Sequence, residues 1–168
     1  ISSLSRMQVG NEPYDGGFLI FTTEEKDSFV VQDSRSLPFF KKLVGSSELL
    51  KGTYRWCIWI DNDAVSDAKG IFSIKDRIDK VRKSRENGGM NARSCANRPH
   101  QFRWTNRPVH SQLIVPLVSS ERRHYIPIGI SDRETILSNL VQAVYDPEPH
   151  MFGILNSRMH MAWVRLIT

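Results

Sequence analysis

The sequence predicts an α+β fold: a mixed sheet with several short helices in a single domain over residues 1–168. Three observations predict it. The run Tyr54–Ile60 (YRWCIWI) is dense in aromatic and β-branched residues and reads as a strand covered on both faces. Ile71, Ile74, Ile78 and Val81 recur at spacings of three and four, which is helical periodicity. Turn-forming residues separate these segments at short intervals, and 168 residues with 40% hydrophobic composition suffice for one domain with a real core.

The elements follow in chain order. Gly10–Gly17 (GNEPYDGG) is turn chemistry leading into a short buried strand, Phe18–Phe21. It lacks the GxxxxGK(S/T) pattern of a phosphate loop. Thr22 or Thr23 caps a helix running through Val31, and Pro38 opens a second helix, Pro38–Val44, stopped by Gly45. After the central strand, Asp61, Asn62 and Asp63 form an acidic turn; no glutamate follows at the spacing of a calcium loop. The helix Ile71–Arg85 carries one narrow apolar stripe, with Lys75, Arg77, Lys80, Arg82, Lys83 and Arg85 assigned to its solvent side. Gly88 and Gly89 end it.

Residues 87–111 form a long loop, nearly without aliphatic residues from Asn91 to His110. Loops longer than about 12–15 residues in compact domains are usually functional or disordered. Two β-rich runs, Gln112–Val118 and His124–Ile130, flank the turn Ser119–Arg123, and Pro116 and Pro127 favour edges or bulges. The segment His150–Arg165 places Phe152, Leu155, Met159 and Trp163 on one apolar side of a core-packed helix, with His160 as a buried, hydrogen-bonded histidine.

Charge by itself identifies no partner, and a solvated charged surface is an equal reading of it, but its distribution is regional. Residues 1–70 hold 8 Lys/Arg against 10 Asp/Glu, whereas residues 75–123 hold 12 against 4, a concentrated positive field of the kind that attracts polyphosphate. The loop contributes Arg93, Arg98, Arg103 and Arg107 without one acid, together with Phe102 and Trp104. A guanidinium grips guanine O6 and N7, or a phosphate, with two parallel hydrogen bonds, and Asn97, Gln101 and Asn106 are of the types that pair with adenine. The candidate phosphate contacts are therefore Lys75, Lys80, Arg82, Lys83 and Arg85 on the helix and Ser119, Ser120, Arg122 and Arg123 on the turn. The candidate base-reading residues are Arg93, Asn97, Arg98, Gln101, Arg103 and Arg107. Within the turn, Glu121 pairing with an arginine is an equal alternative to a phosphate clamp.

Other chemistry is missing. Amino-methyltransferases need a glycine-rich S-adenosylmethionine loop and an NPPY-type pocket for a flipped base, and neither occurs. Glu24-Glu25-Lys26 has the ExK spacing of some metal-dependent nucleases but lies at a helix start. No GxSxG or Cys/His cluster marks a nucleophile or metal site. Cys57 and Cys95, 38 positions apart, read as reduced thiols of a cytoplasmic protein. No run approaches the roughly 18–20 apolar residues of a membrane span. Ile1 in place of a methionine, and the uncapped run Met159–Thr168, lead us to expect a segment of a longer polypeptide.

Gly10–Leu19 (GNEPYDGGFL), Arg55–Ile60 (RWCIWI), Pro99–Phe102 (PHQF), Val118–Gly129 (VSSERRHYIPIG) and Phe152–Arg165 (FGILNSRMHMAWVR) together resemble, in order and spacing, the block downstream of the methyltransferase core in MmeI-like, type IIL restriction-modification enzymes. The resemblance covers nearly the whole chain. It implies a target recognition domain, of mixed α and β structure, that reads double-stranded DNA for an adenine-N6 methyltransferase in the same polypeptide and for a fused nuclease. S-adenosylmethionine would belong to that parent enzyme, and no catalytic, cofactor-binding or metal-binding residue is assigned to this chain. Two other readings stay open. One is a docking module that packs its aromatic strand and Trp163 helix against a partner domain of the same enzyme. The other is a single-stranded RNA binder that stacks bases on Phe102 and Trp104.

Overall fold

A computed structural model of the chain describes residues 5–120 and 122–167. Ile1, Glu121 and Thr168 lie outside the described residues, and with them the expectations about the termini and about a Glu121 ion pair. In chain order the first elements are β1 (Met7–Val9), β2 (Ile20–Phe21), α1 (Thr23–Gln32), a 3-10 turn (Ser34–Phe39), β3 (Phe40–Val44), α2 (Ser46–Lys51) and β4 (Arg55–Ile58). A second 3-10 turn (Asn62–Ala64), α3 (Val65–Lys69), α4 (Phe72–Glu86) and α5 (Met90–Arg93) follow. The chain then runs through β5 (Ser111–Pro116), β6 (Gly129–Asp132), β7 (Thr135–Leu137), β8 (Val141–Tyr145), α6 (Pro149–Leu155) and α7 (Arg158–Ile167). The class is α+β, as the sequence predicts. Every strand pair described within the two units below is antiparallel, so the mixture is of helix with sheet.

The chain clusters into two compact units, each assembled from separated stretches. One comprises Asn11–Leu43 and Arg55–Thr105. Its β4 is central, flanked by β2 and β3, which matches the strand expected at Tyr54–Ile60. Phe21, Phe29 and Phe40 meet edge to face with centroids 5.2–5.6 Å apart, the arrangement that ring quadrupoles favour. Thr22 caps α1 as expected: its hydroxyl accepts from the Glu25 amide, and the Glu25 carboxylate accepts from the Thr22 amide in return. The helix expected at Pro38–Val44 is instead a 3-10 turn followed by β3. Phe40 and Leu43 are buried while Lys42 is exposed, and the chain pairs with β4, so tertiary pairing overrides the start signal that Pro38 offered.

The other unit comprises the described part of Ile1–Gly10, Val44–Tyr54 and Asn106–Thr168. Its sheet runs β1-β8-β5-β6. Ile114, Leu137, Val141 and Ala143 form its buried cluster, with Val44, Leu49 and Tyr145 packed on it. β5 is a central strand rather than an edge, and Pro116 is tolerated because it is the last residue, where the missing N–H interrupts little. The second run starts later than expected: residues 117–128 are a long connection and β6 begins at Gly129. The helix expected over 150–165 breaks at Asn156-Ser157 into α6 and α7. Its apolar side is not core-packed, since Met159 is 82% and Trp163 57% exposed and Met161 alone among the residues of α7 is buried. His160 is hydrogen-bonded, its Nδ1 lying 2.7 Å from the Leu155 carbonyl, but half-buried.

Candidate nucleic-acid interface

Helix α4 forms because its stripe Ile74, Ile78 and Val81 buries completely against the core of the first unit, as does Ile71 just before it. The polar side is cationic by default. Lys75 pairs with Asp79 at 3.4 Å and Lys80 with Asp76 at 2.7 Å, both i,i+4 and solvent-exposed, so each contributes only about 0.3–0.5 kcal/mol and leaves the lysine available. Arg82 and Lys83, both exposed, have no acidic partner among the described residues. Arg77 does not face solvent freely: its guanidinium stacks over Phe21 at 4.8 Å and Phe29 at 5.9 Å.

Arg85 is a correction. It was expected to touch phosphate, but it is 0% exposed and its guanidinium donates to five main-chain carbonyls. Nε donates to Tyr14 (2.8 Å), Nη1 to Cys95 and Arg98 (2.9 Å each), and Nη2 to Pro13 (2.9 Å) and Gln101 (2.5 Å). No donor remains for DNA. The spacing that places Ile71, Ile74, Ile78 and Val81 inside reaches 85 at the next step, so the apolar stripe itself was the signal that Arg85 turns inward.

The long loop opens with the short helix α5 and continues through turns that pack rather than float. Cys95 and Phe102 are 1% exposed, and Phe102 meets Trp59 edge to face at 5.6 Å. Phe102 therefore cannot stack a base, while Trp104, 38% exposed, can. Of the expected base-reading residues in this unit, Arg93 and Asn97 are exposed. Arg98 is half-buried, its Nη2 donating to the Arg103 carbonyl. Gln101 donates from Nε2 to Asn62 Oδ1 at 3.0 Å. Arg103 pairs with Glu12 at 2.8 Å, reaches Asn91 Oδ1 at 3.4 Å, and lies over the rings of Tyr14 and Trp104 at 5.5 and 5.2 Å. The structure thus gathers Arg98, Gln101 and Arg103 into an internally bonded layer, with Arg93 and Asn97 outside it. His100 also lies 3.2 Å from Asn62 Oδ1, and its imidazole is held below its ordinary pKa by burial and by the field of Lys69, Arg85 and Arg98.

The remaining candidates belong to the other unit. Arg107 donates to the Arg133 carbonyl at 3.4 Å and lies 3.8 Å from Glu134. The turn residues Ser120, Arg122 and Arg123 are exposed, Ser119 partly so, and the Arg123 amide closes the turn on the Ser120 carbonyl at 3.0 Å. A groove of about 660 Å³ beside them has an apolar floor that includes Ile126, Met161 and Val164, with Ser119, Ser120, Arg123 and Arg165 on its walls. Arg165, from α7, donates to the Arg123 carbonyl at 3.3 Å. Arg158 and Arg165 were not among the expected contacts, although Arg158, Met161 and Arg165 follow helical spacing onto one face.

The one glycine-rich turn does not fit S-adenosylmethionine. The Asp15 carboxylate is buried and accepts from the Leu19 amide at 2.7 Å, and the Pro13 and Tyr14 carbonyls are occupied by Arg85. Gly16 has φ +66°, and a Cβ there would come within 2.5 Å of Ser84 Oγ, so the turn is packed on that side, while Gly17 borders open space. Among the described residues no three His, Cys, Asp or Glu side chains gather at a metal-binding spacing, and no helix is long and apolar enough to cross a membrane. Cys57 and Cys95 are free and buried, and burial pushes the Cys57 thiol well above its ordinary range.

Comparison with known proteins places this architecture. The chain is 39% identical over 168 residues to DNA methyltransferase A of Bacillus subtilis (strain 168), covering 99% of this chain and 19% of that protein. A solved structure of the type IIL restriction-modification enzyme MmeI in complex with DNA superposes with a TM-score of 0.91 at 37% identity, over 98% of this chain and 22% of that one. The chain therefore spans about a fifth of the length of these relatives. The model of the MmeI target recognition domain matches residues 1–168 without remainder, and the chain belongs to that family.

Proposed function

We propose that this chain reads sequence in double-stranded DNA and directs an adenine-N6 methyltransferase, joined to it in one polypeptide, to its site, with a fused nuclease sharing the same address. The MmeI enzyme solved with DNA carries this fold at 37% identity over nearly the whole chain, and that likeness is what supports the reading most strongly. S-adenosylmethionine and the methyl-transfer chemistry belong to the methyltransferase part, since the glycine-rich turn here is closed by its own contacts. The cytoplasm, where such an enzyme meets DNA, is the corresponding location.

The exposed cations divide the work. Lys75, Lys80, Arg82 and Lys83 on α4, and Ser119, Ser120, Arg122 and Arg123 on the turn, hold phosphate oxygens, with Arg165 beside the turn. Arg93 and Asn97 reach base edges directly; Arg98, Gln101, Arg103 and Arg107 do so on exchanging an internal bond for one to a base. Phosphate contacts give affinity without choice, and base contacts give choice.

Fluorescence anisotropy of a labelled duplex tests the assignment. Binding should weaken linearly in log–log form between about 50 and 200 mM salt, with a slope of about −0.9 per neutralised phosphate. An excess of duplex DNA should displace the probe and single-stranded RNA should not. Salt-independent binding, or displacement by RNA alone, would refute it.

A further inference from the structure

Arg85 is the largest fully buried side chain among the described residues, and it lies in the last turn of α4 within a ring of carbonyls. The ring has a regular source. The Cys95 amide bonds the Ala92 carbonyl at 3.1 Å, the Arg98 amide the Cys95 carbonyl at 3.2 Å, and the Gln101 amide the Arg98 carbonyl at 3.2 Å. The loop therefore advances in three-residue turns. That repeat carries the carbonyls of Cys95, Arg98 and Gln101 to the same side, where one guanidinium receives all three while Pro13 and Tyr14 close it from the opposite strand-entry turn. The main chain faces inward, and Arg93, Ser94 and Asn97 are left facing out.

Only arginine fits such a ring. Its planar fork offers five N–H donors in fixed directions, whereas a lysine ammonium offers three from a single point. Besides the guanidinium, the loop is held by its buried Cys95, Pro99 and Phe102, by the bonds of His100 and Gln101 to Asn62, and at its far end by the Arg103–Glu12 pair; of these contacts only the guanidinium binds three of its carbonyls at once. Resting on the DNA-reading function above, we propose that Arg85 is a positioning residue for base reading: it fixes the Cys95–Gln101 loop in its DNA-competent shape before DNA arrives, so that Asn97 meets the groove already oriented. A loop ordered in advance avoids the ordering cost that a disordered reader meets on binding.

The test uses the full 168-residue chain and its Arg85→Lys variant, with amide hydrogen exchange and selection from a pool of random-sequence duplexes. In the wild type without DNA, the amides of Arg98, Gln101 and Arg103 should exchange at least about tenfold more slowly than an unstructured chain. Arg85→Lys should erase that protection, leave the amides of Ile74 and Ile78 protected, and cut enrichment of the selected motif about tenfold or more. Its affinity for the unselected pool at the same salt should change less than about twofold, because phosphate contacts are untouched. A purely structural role would instead lower both affinities together. Unprotected loop amides in the wild type would overturn the proposal without any variant, and would do so even if Arg85→Lys failed to fold. Undiminished enrichment in a folded Arg85→Lys chain would overturn it as well. A wild type with protected loop amides that enriches no motif would overturn the DNA-reading function itself, and the positioning role with it.

Discussion

Arg82 and Arg85 stand three residues apart on α4, and the helix gives them opposite environments. Arg82 projects into solvent with no acidic partner among the described residues; Arg85 is wholly enclosed and bonded to five carbonyls. A buried guanidinium loses its hydration and is tolerated only when its N–H groups are satisfied, which main-chain carbonyls do without adding a counter-charge. An exposed one keeps its hydration and a long-range field. The same residue type therefore serves architecture in one case and attraction of polyanions in the other, and net charge counted along the sequence merges the two.

The contrast is sharpest in stability. Arg85→Met should destabilise the chain by about 3–5 kcal/mol in urea unfolding, because it strands several carbonyls that water reaches poorly. Loss below about 1 kcal/mol would show that water readily replaces the guanidinium. The double change Arg82→Ala/Lys83→Ala should leave stability within about 0.5 kcal/mol yet lower the salt slope of duplex binding by about 1–2 units, equally for every sequence. An unchanged slope would remove this end of α4 from the interface. Between these extremes lies Glu12→Gln, which breaks the half-buried Arg103 pair; a loss of about 1 kcal/mol is expected in the same unfolding assay, with a changed base preference in duplex selection if Arg103 is released to the groove.

The smallest effect concerns pH. His100 has a folded pKa below its unfolded value of about 6.5, so the unfolded chain takes up the proton first. Its contribution to stability is complete above that pH and declines as pH falls through the folded value. His100→Gln should flatten the unfolding midpoint between about pH 7 and 5 relative to wild type; parallel profiles would show that the proton binds elsewhere.

Much of the fold was legible where local and tertiary signals agree: the Thr22 cap with Glu25, the apolar run at β4, the stripe of α4. It was illegible where they compete. Pro38 is an acceptable start for a helix, yet the alternation of Phe40, Lys42 and Leu43 fits an antiparallel partner that only the fold supplies. Pro116 warned against a central strand, but a strand's final residue escapes the warning. Residues 150–165 keep helical spacing across Asn156-Ser157, and that spacing masks the one local sign of the break, Ser157, whose Oγ accepts from the His160 amide at 3.1 Å at the start of α7. For the site, the basic segment was found and its partition was not. Arg98 and Arg103 bond atoms remote in sequence or on the main chain, and these carry no compositional mark; for Arg85 alone a signal was there and was passed over, its place on the apolar stripe of α4.

Every bond that Arg85 makes ends on a peptide oxygen, and peptide oxygens are the same whatever residue bears them. Exposed residues of the loop such as Ser94 and Asn97 can thus be exchanged without altering what the guanidinium grasps, whereas Cys95, Pro99 and Phe102 pack and Arg98, His100 and Gln101 bond within the layer. If the proposed reading holds, a fastening indifferent to side chains lets the base-reading positions of the loop change on a constant frame.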